Sequence, residues 1–247
     1  WRWDLWWRPA GLLAAGYRHL YQISHSFRKG ERGQLHNPEF TMLEWYRAGA
    51  DYTTMIYDTE QLVLTISREL GIGESLKYRG KTIDLSAPWG GITVKEAYKQ
   101  LAGWDPGDNP DPVRFDTDMA TRVIPHFNAH RPTVILDYPA AMASLARLKP
   151  GESGVAERAE VFIGGLEIAN AYSELTDRGE QTKRFQKEIE AIKREQGREA
   201  PQPERFLEAM DRLPAAGGIA LGMDRLVMLF CDAASIDEVI PFTVDDA

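Results

Sequence analysis

Two glutamates, Glu160 and Glu167, flank the pair Gly164–Gly165 in the stretch AEVFIGGLEIANAY. A two-residue turn at those glycines would pair Ile163 with Leu166 and Phe162 with Glu167, and would put Glu160 on the face of Glu167. Diagonal neighbours across an antiparallel pair stand roughly 7–8 Å apart at Cα. Carboxylates that close repel unless a proton or cation sits between them. Two carboxylates suit Mg²⁺, which keeps waters and bridges substrate phosphates. The plainer reading is an exposed sheet face with two solvated glutamates.

Further along, Gly222 precedes a helical pattern whose first turn holds Asp224 and Arg225. A cation there opposes the helix dipole, an arrangement that makes sense if Arg225 and the free N–H groups converge on a phosphate. The alternative is an ion pair with Asp224 or another acid. Gly217, Gly218 and Gly222 would let a ligand approach the backbone closely. Arg28 opens a polar loop, and its planar fork matches carboxylate or phosphate; a lone loop arginine is also often simply solvated. Phe40, Met42, Glu44 and Tyr46 alternate onto one strand face. Glu44 and Tyr46 beside an apolar row could bind an ammonium, or could stand at the wet rim of an amphipathic strand. The GxxxxGK[ST], GxGxxG and GxSxG patterns are missing, so any ATP chemistry proceeds without those devices.

These residues need elements to hold them. Residues 17–27 and 39–46 read as strands joined by the charged loop 28–37, longer than ordinary hairpin loops and so of functional interest. Residues 53–70 predict a helix with Leu62, Ile66 and Leu70 on one stripe. Thr93 and Glu96 form a capping-box pattern opening a short helix. Residues 103–117 read as a loop, 117–130 as a helix and 133–139 as a strand. Then come the hairpin 159–172, a charged helix 177–196 with Phe185, Ile189 and Ile192 inward, a short helix 203–213, a strand 217–222 and a helix 223–231. Strands arrive in hairpins, which predicts an α+β fold built on an antiparallel sheet flanked by helices.

Bulk properties narrow the function. The chain has 247 residues with 43% hydrophobic content, enough for one large domain. A net charge of −8 disfavours a protein that grips nucleic acid through phosphates. Cys231 is the single cysteine, so internal disulfides and thiolate zinc sites are excluded and a reducing cytoplasm is expected. A histidine metal site, a secretory signal and a membrane span are not expected either. Trp1, Trp3, Trp6 and Trp7 crowd an atypical start over residues 1–10, whose plainer reading is a truncated or non-native beginning and whose alternative is an aromatic binding patch.

Taken together, SFRKGERGQLHNPEFTMLEWYR resembles motif 2 of the class II aminoacyl-tRNA synthetases, AEVFIGGLEIANAYSEL the metal and amino-acid segment of their lysine branch, and GGIALGMDRLVMLF motif 3. The resemblance runs from residue 11 to residue 247. It implies a lysyl-tRNA synthetase-like catalytic domain, ATP and Mg²⁺ as cofactors, and an aminoacyl-adenylate intermediate. It assigns Arg28 to the α-phosphate and the amino-acid carboxylate, His36 to the phosphates, Phe40 to adenine, and Arg225 and Gly222 to the nucleotide. Glu44 would hold the α-amino group, Tyr46 and Glu174 the side-chain ammonium, and Glu160 and Glu167 the metal. Asn170 would line the amino-acid pocket, although strict alternation puts it on the wrong face unless the strand bulges. Motif 2 reads FRKGE rather than FRxE, so Glu31 is displaced by one position from its place against adenine.

Ala220 and Ala169 stand where the tRNA-charging members usually carry glycine. Both resemble the branch that attaches (R)-β-lysine to a lysine of elongation factor P. Motif 2 begins near residue 20, leaving no room for an anticodon-binding barrel, and motif 1, the usual dimer interface, is absent. The reading is therefore a ligase with elongation factor P as acceptor and tRNA less favoured, with homodimerisation belonging to the intact protein. Aminoacylation of tRNA and a non-catalytic ATP- or lysine-binding role are the alternatives.

Overall fold

The structure, a computed structural model, describes residues 7–108, 110–142, 146–197, 199 and 201–243. Trp1, Trp3 and Trp6 lie outside these residues. Helix α1 (Trp7–Ala14) buries Ala10 and Leu13. The first two alternating stretches form an antiparallel hairpin, β1 (His19–Phe27) and β2 (Glu39–Ala48), in register from His19↔Arg47 to Phe27↔Glu39. α2 (Tyr52–Glu69) starts where the Asp51 carboxylate accepts the Thr54 N–H at 2.9 Å, satisfying a donor that the helix cannot. Its inward residues include Met55, Thr59 and Val63. The predicted stripe is displaced: Leu62 and Ile66 are partly buried and Leu70 is exposed. Thr59 sits in the core because its hydroxyl bonds back to the Met55 carbonyl at 2.8 Å.

β3 (Ser75–Tyr78) and β4 (Lys81–Asp84) make a separate small hairpin absent from the sequence reading. β5 (Gly90–Thr93) leads into α3 (Val94–Leu101), where Thr93 and Glu96 complete the expected capping box. The predicted loop ends early, because Asp111 caps α4 (Pro112–Asp118) and Pro112 occupies its first turn, where a missing N–H is harmless. The predicted helix over 117–130 is a continuation of α4 through a π turn (Met119–Val123) and a 3-10 turn (Ile124–His126). Pro125 lacks the N–H that an α-helix would need there.

β6 (Thr133–Pro139), β7 (Leu148–Lys149), β8 (Glu152–Ile163) and β9 (Leu166–Ser173) follow. Then come α5 (Arg178–Gln196), α6 (Glu204–Met210), β10 (Ala216–Gly222) and α7 (Met223–Cys231). The main sheet runs β1-β2-β10-β9-β8-β6-β5, with β7 on β8. Its described pairs are antiparallel except β5 with β6. α2 and α7 cover one side over a core that includes Met55, Val63, Ile168, Leu221 and Met228. Further clusters form around α3 and α4 and between α1, α5 and α6, the last containing Phe185 as expected. No helix among the described residues is long and apolar enough to cross a membrane.

The β8–β9 connection is the expected two-residue turn. Gly164 and Gly165 both have positive φ, 61° and 88°, as a type I′ turn requires. A Cβ on Gly164 would stand 2.7 Å from the Tyr78 ring, so the turn also needs glycine to pack on β3–β4. Phe162 pairs with Glu167 as predicted, and the register then shifts, leaving Val161 opposite Ala169 and Glu160 opposite Asn170. That bulge brings Asn170 onto the same face as Glu160.

Candidate active site

Register alone builds a row across five strands. Gln22 faces Glu44, Glu44 faces Ala220, Ala220 faces Asn170, and Asn170 faces Glu160. Directly paired residues share a sheet face, and all five line one cleft of about 1180 Å³. The candidates named from the sequence line it too: Arg28, Glu31, His36, Phe40, Tyr46, Glu167, Glu174, Gly222 and Arg225.

At one end of the row Glu44 and Tyr46 are buried rather than at a wet rim. Gln22 Nε2 donates to Glu44 Oε2 at 2.5 Å, and the Tyr46 hydroxyl donates to Oε1 at 3.3 Å. Burial pushes the Glu44 carboxyl above its usual range, against the pull of those two bonds. The Tyr46 phenol is raised by burial first, then by the charges of Glu44 and Glu174. A buried anion beside a buried phenol is a place for a cation.

Gly217 and Gly218 serve packing rather than ligand approach. A Cβ on Gly218 would overlap Glu174 Oε1 and stand 2.7 Å from the Tyr46 ring; one on Gly217 would stand 2.7 Å from the Asp51 carbonyl. Of the three glycines only Gly222 would accept a Cβ without a clash, in ordinary contact with Arg225 side-chain atoms at 3.8 Å.

The opposite flank carries two arginines, Arg225 and Arg28, each beside a glutamate. Arg225 does not pair with Asp224, whose carboxylate accepts the Thr41 N–H at 2.7 Å. Its Nη1 instead donates to the Glu167 carbonyl at 3.0 Å and to Glu167 Oε2 at 3.3 Å, and its Nε to the Leu35 carbonyl at 3.3 Å. Nη2 lies 2.8 Å from His36 Nε2, which must accept, leaving the imidazole neutral with its proton on Nδ1. Burial and the neighbouring Arg225 charge hold the His36 pKa below 6.5. Arg28 lies 5.2 Å over the Phe40 ring and pairs with Glu31 at 3.4 Å, so the displaced glutamate still reaches the cleft wall. The hydroxyls of Ser24 and Ser26 on β1 are buried there without a protein partner, polar atoms left for a ligand or water.

A profile of the class II tRNA synthetases (D, K and N) matches residues 10–246. The chain belongs to that family. It is 36% identical over 256 residues to a lysine–tRNA ligase of Dehalococcoides mccartyi, covering 94% of this chain and 51% of that protein. A lysine–tRNA ligase of Pelotomaculum thermopropionicum is likewise 36% identical, over 94% of this chain and 50% of its own length. An elongation factor P–(R)-β-lysine ligase of Klebsiella pneumoniae is 40% identical over 243 residues, covering 96% of this chain and 74% of that protein. The chain thus spans about half the length of the lysine–tRNA ligases that it matches.

Gln22 and Arg158 are among the residues of this synthetase-family cleft that the sequence did not single out. Gln22 lies within the predicted strand 17–27 with nothing in its local sequence to mark it, and only the register puts it on Glu44. Arg158, two residues before Glu160, donates from Nη2 to Glu160 Oε1 at 2.5 Å. Burial and the nearby Glu167 charge raise the Glu160 pKa, with Arg158 opposing them. Both carboxylates line the cleft, two hard oxygen donors of the kind that suits Mg²⁺. No described cluster offers three acidic, histidine or cysteine ligands, so further ligands would come from substrate phosphates and water. Contrary to the expectation that the histidines lack metal-site spacing, His126 and His130 stand in an HxxxH arrangement. They hold no metal geometry: His126 Nδ1 lies 2.7 Å from the Arg122 carbonyl and His130 Nδ1 2.9 Å from the Thr82 carbonyl.

Proposed function

We propose that the cleft activates a diamino acid, (R)-β-lysine in preference to α-lysine, as its adenylate with ATP, and transfers it to a lysine amine of elongation factor P. The observation that carries this is the row from Glu44 through Ala220 and Asn170 to Glu160, with anionic groups for amines at one end and a carboxylate pair beside Arg225 at the other. The Ala220 methyl stands at its centre, between Glu44 and Asn170.

In this reading Glu44, Tyr46 and Glu174 hold the amines, and Asn170 and Ala220 shape the pocket between them. Arg28 faces the α-phosphate and the substrate carboxylate, Arg225 the outer phosphates, with His36 and Glu31 along the same wall and Phe40 stacked on adenine. Gly222 leaves room for the nucleotide beside Arg225. Glu160 and Glu167 would hold Mg²⁺, which supplies charge neutralisation at the phosphates when bound. The substrate carboxylate oxygen attacks the α-phosphorus in line and pyrophosphate leaves, giving the aminoacyl-adenylate. Arg28 and Arg225 stabilise the charge that develops on the phosphoryl oxygens. The acceptor amine then attacks the acyl carbon and AMP departs.

The Klebsiella relative's name and the alanine at 220 support elongation factor P as acceptor; the lysine–tRNA ligase relatives keep tRNA as the second reading. The test is incubation with ATP, (R)-β-lysine or α-lysine, and either elongation factor P or tRNA, read by mass spectrometry. The expected product is elongation factor P carrying one β-lysyl group. Charged tRNA formed only with α-lysine would favour the second reading, and no turnover with either acceptor would support a non-catalytic role. Glu160→Ala, Glu167→Ala and Arg225→Ala are each expected to abolish ATP–pyrophosphate exchange; undiminished exchange would remove these residues from the site.

A further inference from the structure

Arg158 is mostly buried, its side chain 19% exposed, and each of its three guanidinium nitrogens donates to a different element. Nη1 donates to the Met142 carbonyl at 2.7 Å, Nε to Asn170 Oδ1 at 3.2 Å on β9, and Nη2 to Glu160 Oε1 at 2.5 Å on its own strand. Its guanidinium lies 4.3 Å over the Tyr138 ring and 5.6 Å from that of Tyr172. Asn170 closes the figure by donating from Nδ2 to the same Glu160 oxygen at 3.2 Å. Three side chains thus form a triangle of three hydrogen bonds, with both bonds to Glu160 falling on Oε1 and neither on Oε2.

The triangle fixes two things that strand geometry leaves open. An asparagine amide can face either way, and Arg158 demands its oxygen, so the Nδ2 group must turn to Glu160. A buried glutamate has several rotamers, and the arm from Arg158 selects one. We infer that Arg158 is a positioning residue, which sets Glu160 for the cation and Asn170 for the amino acid at once. The inference rests on the proposed adenylating function and deepens it. The role needs a planar fork with stacked faces. A lysine ammonium supplies the charge but neither the second arm nor the stack.

The test uses Arg158→Lys and Arg158→Met in the full chain, with Glu160→Gln as reference. Mn²⁺ binding in the presence of a non-hydrolysable ATP analogue is followed by electron paramagnetic resonance. Lysine and β-lysine binding are followed by calorimetry without metal, all at temperatures where circular dichroism shows a folded chain. Both Arg158 variants are expected to lose at least tenfold in Mn²⁺ affinity and in amino-acid affinity, with Arg158→Lys no better than Arg158→Met. Metal-free nucleotide affinity should stay within about twofold, because the adenine wall at Phe40 lies on another strand. Wild-type Mn²⁺ and amino-acid affinities in Arg158→Lys would overturn the inference, as would an equal loss in nucleotide affinity, which signals general damage. If Glu160→Gln itself leaves Mn²⁺ binding unchanged, the metal assignment fails and the inference falls with it. If Glu160→Gln abolishes binding while Arg158→Lys does not, the inference alone fails.

Discussion

Single atoms decide much of this cleft. Gly218 is a glycine because Glu174 and Tyr46 close over it. Gly218→Ala is therefore expected to destabilise the fold by about 1–3 kcal/mol and to abolish amine binding. Gly222→Ala, which meets nothing nearer than 3.8 Å, should fold normally; denaturant melts of the two variants check the contrast. Glu44 makes the opposite case. Its pKa is raised by burial, so its contribution to stability is fully present below the unfolded-state pKa and is lost as pH rises through the higher folded-state value. At neutral pH the empty site carries that cost. Glu44→Gln should stabilise the unliganded protein by about 1 kcal/mol while losing amine affinity. A melting temperature unchanged or lowered at pH 7 would show that the carboxylate is not strained by its burial. In wild type, amine affinity should rise with pH through the raised Glu44 value, because only the ionised form holds an ammonium.

Elements were legible where a local rule speaks. The alternation of Phe40, Met42, Glu44 and Tyr46 marked β2, the glycine pair marked the β8–β9 turn, and Thr93 with Glu96 marked the start of α3. Thr93→Ala should cost about 1 kcal/mol without changing pyrophosphate exchange, because the cap stabilises a helix away from the cleft; urea titration and the exchange assay together check this. What escaped has physical reasons. β3 and β4 are four residues each, too short for a period to show, and their turn rests on Arg79 and Gly80 at φ 51° and 74°. The bulge in β9 was needed to bring Asn170 to the cleft, yet no residue type demanded it, since Ile168 and Ala169 are ordinary strand residues. Arg158 escaped because three of its partners, Asn170, Met142 and Tyr138, come from other parts of the chain. The α2 stripe was misplaced because an apolar count overlooks a threonine that satisfies its own hydroxyl.

Over the whole molecule, the three motif-bearing stretches, residues 22–46, 158–174 and 219–225, meet in one cleft that residues from 112–142 and Ile236 also line. The motifs were readable along the chain, but their convergence needed β10 to enter between β2 and β9, a non-local pairing that no window of sequence contains. The net charge of −8 also acts at this scale. Without a basic surplus, a bare tRNA should not be retarded by the chain in a gel at about 0.15 M salt. Retardation that weakens steeply with salt would reveal a concentrated basic face.

The row of paired residues has a further consequence for how such a site can change. Neighbouring strands stand about 4.8 Å apart, so the three gaps from Glu44 to Glu160 measure roughly 14 Å. It is a ruler whose divisions are set by backbone hydrogen bonds, and no side-chain substitution can stretch it. Only the height of each mark can vary. At Ala220 the mark is one methyl tall, about the length of a single carbon–carbon bond. A substrate lengthened or branched by one carbon is thus distinguished by raising or lowering a mark, so selectivity on this sheet should move in discrete steps rather than by gradual drift.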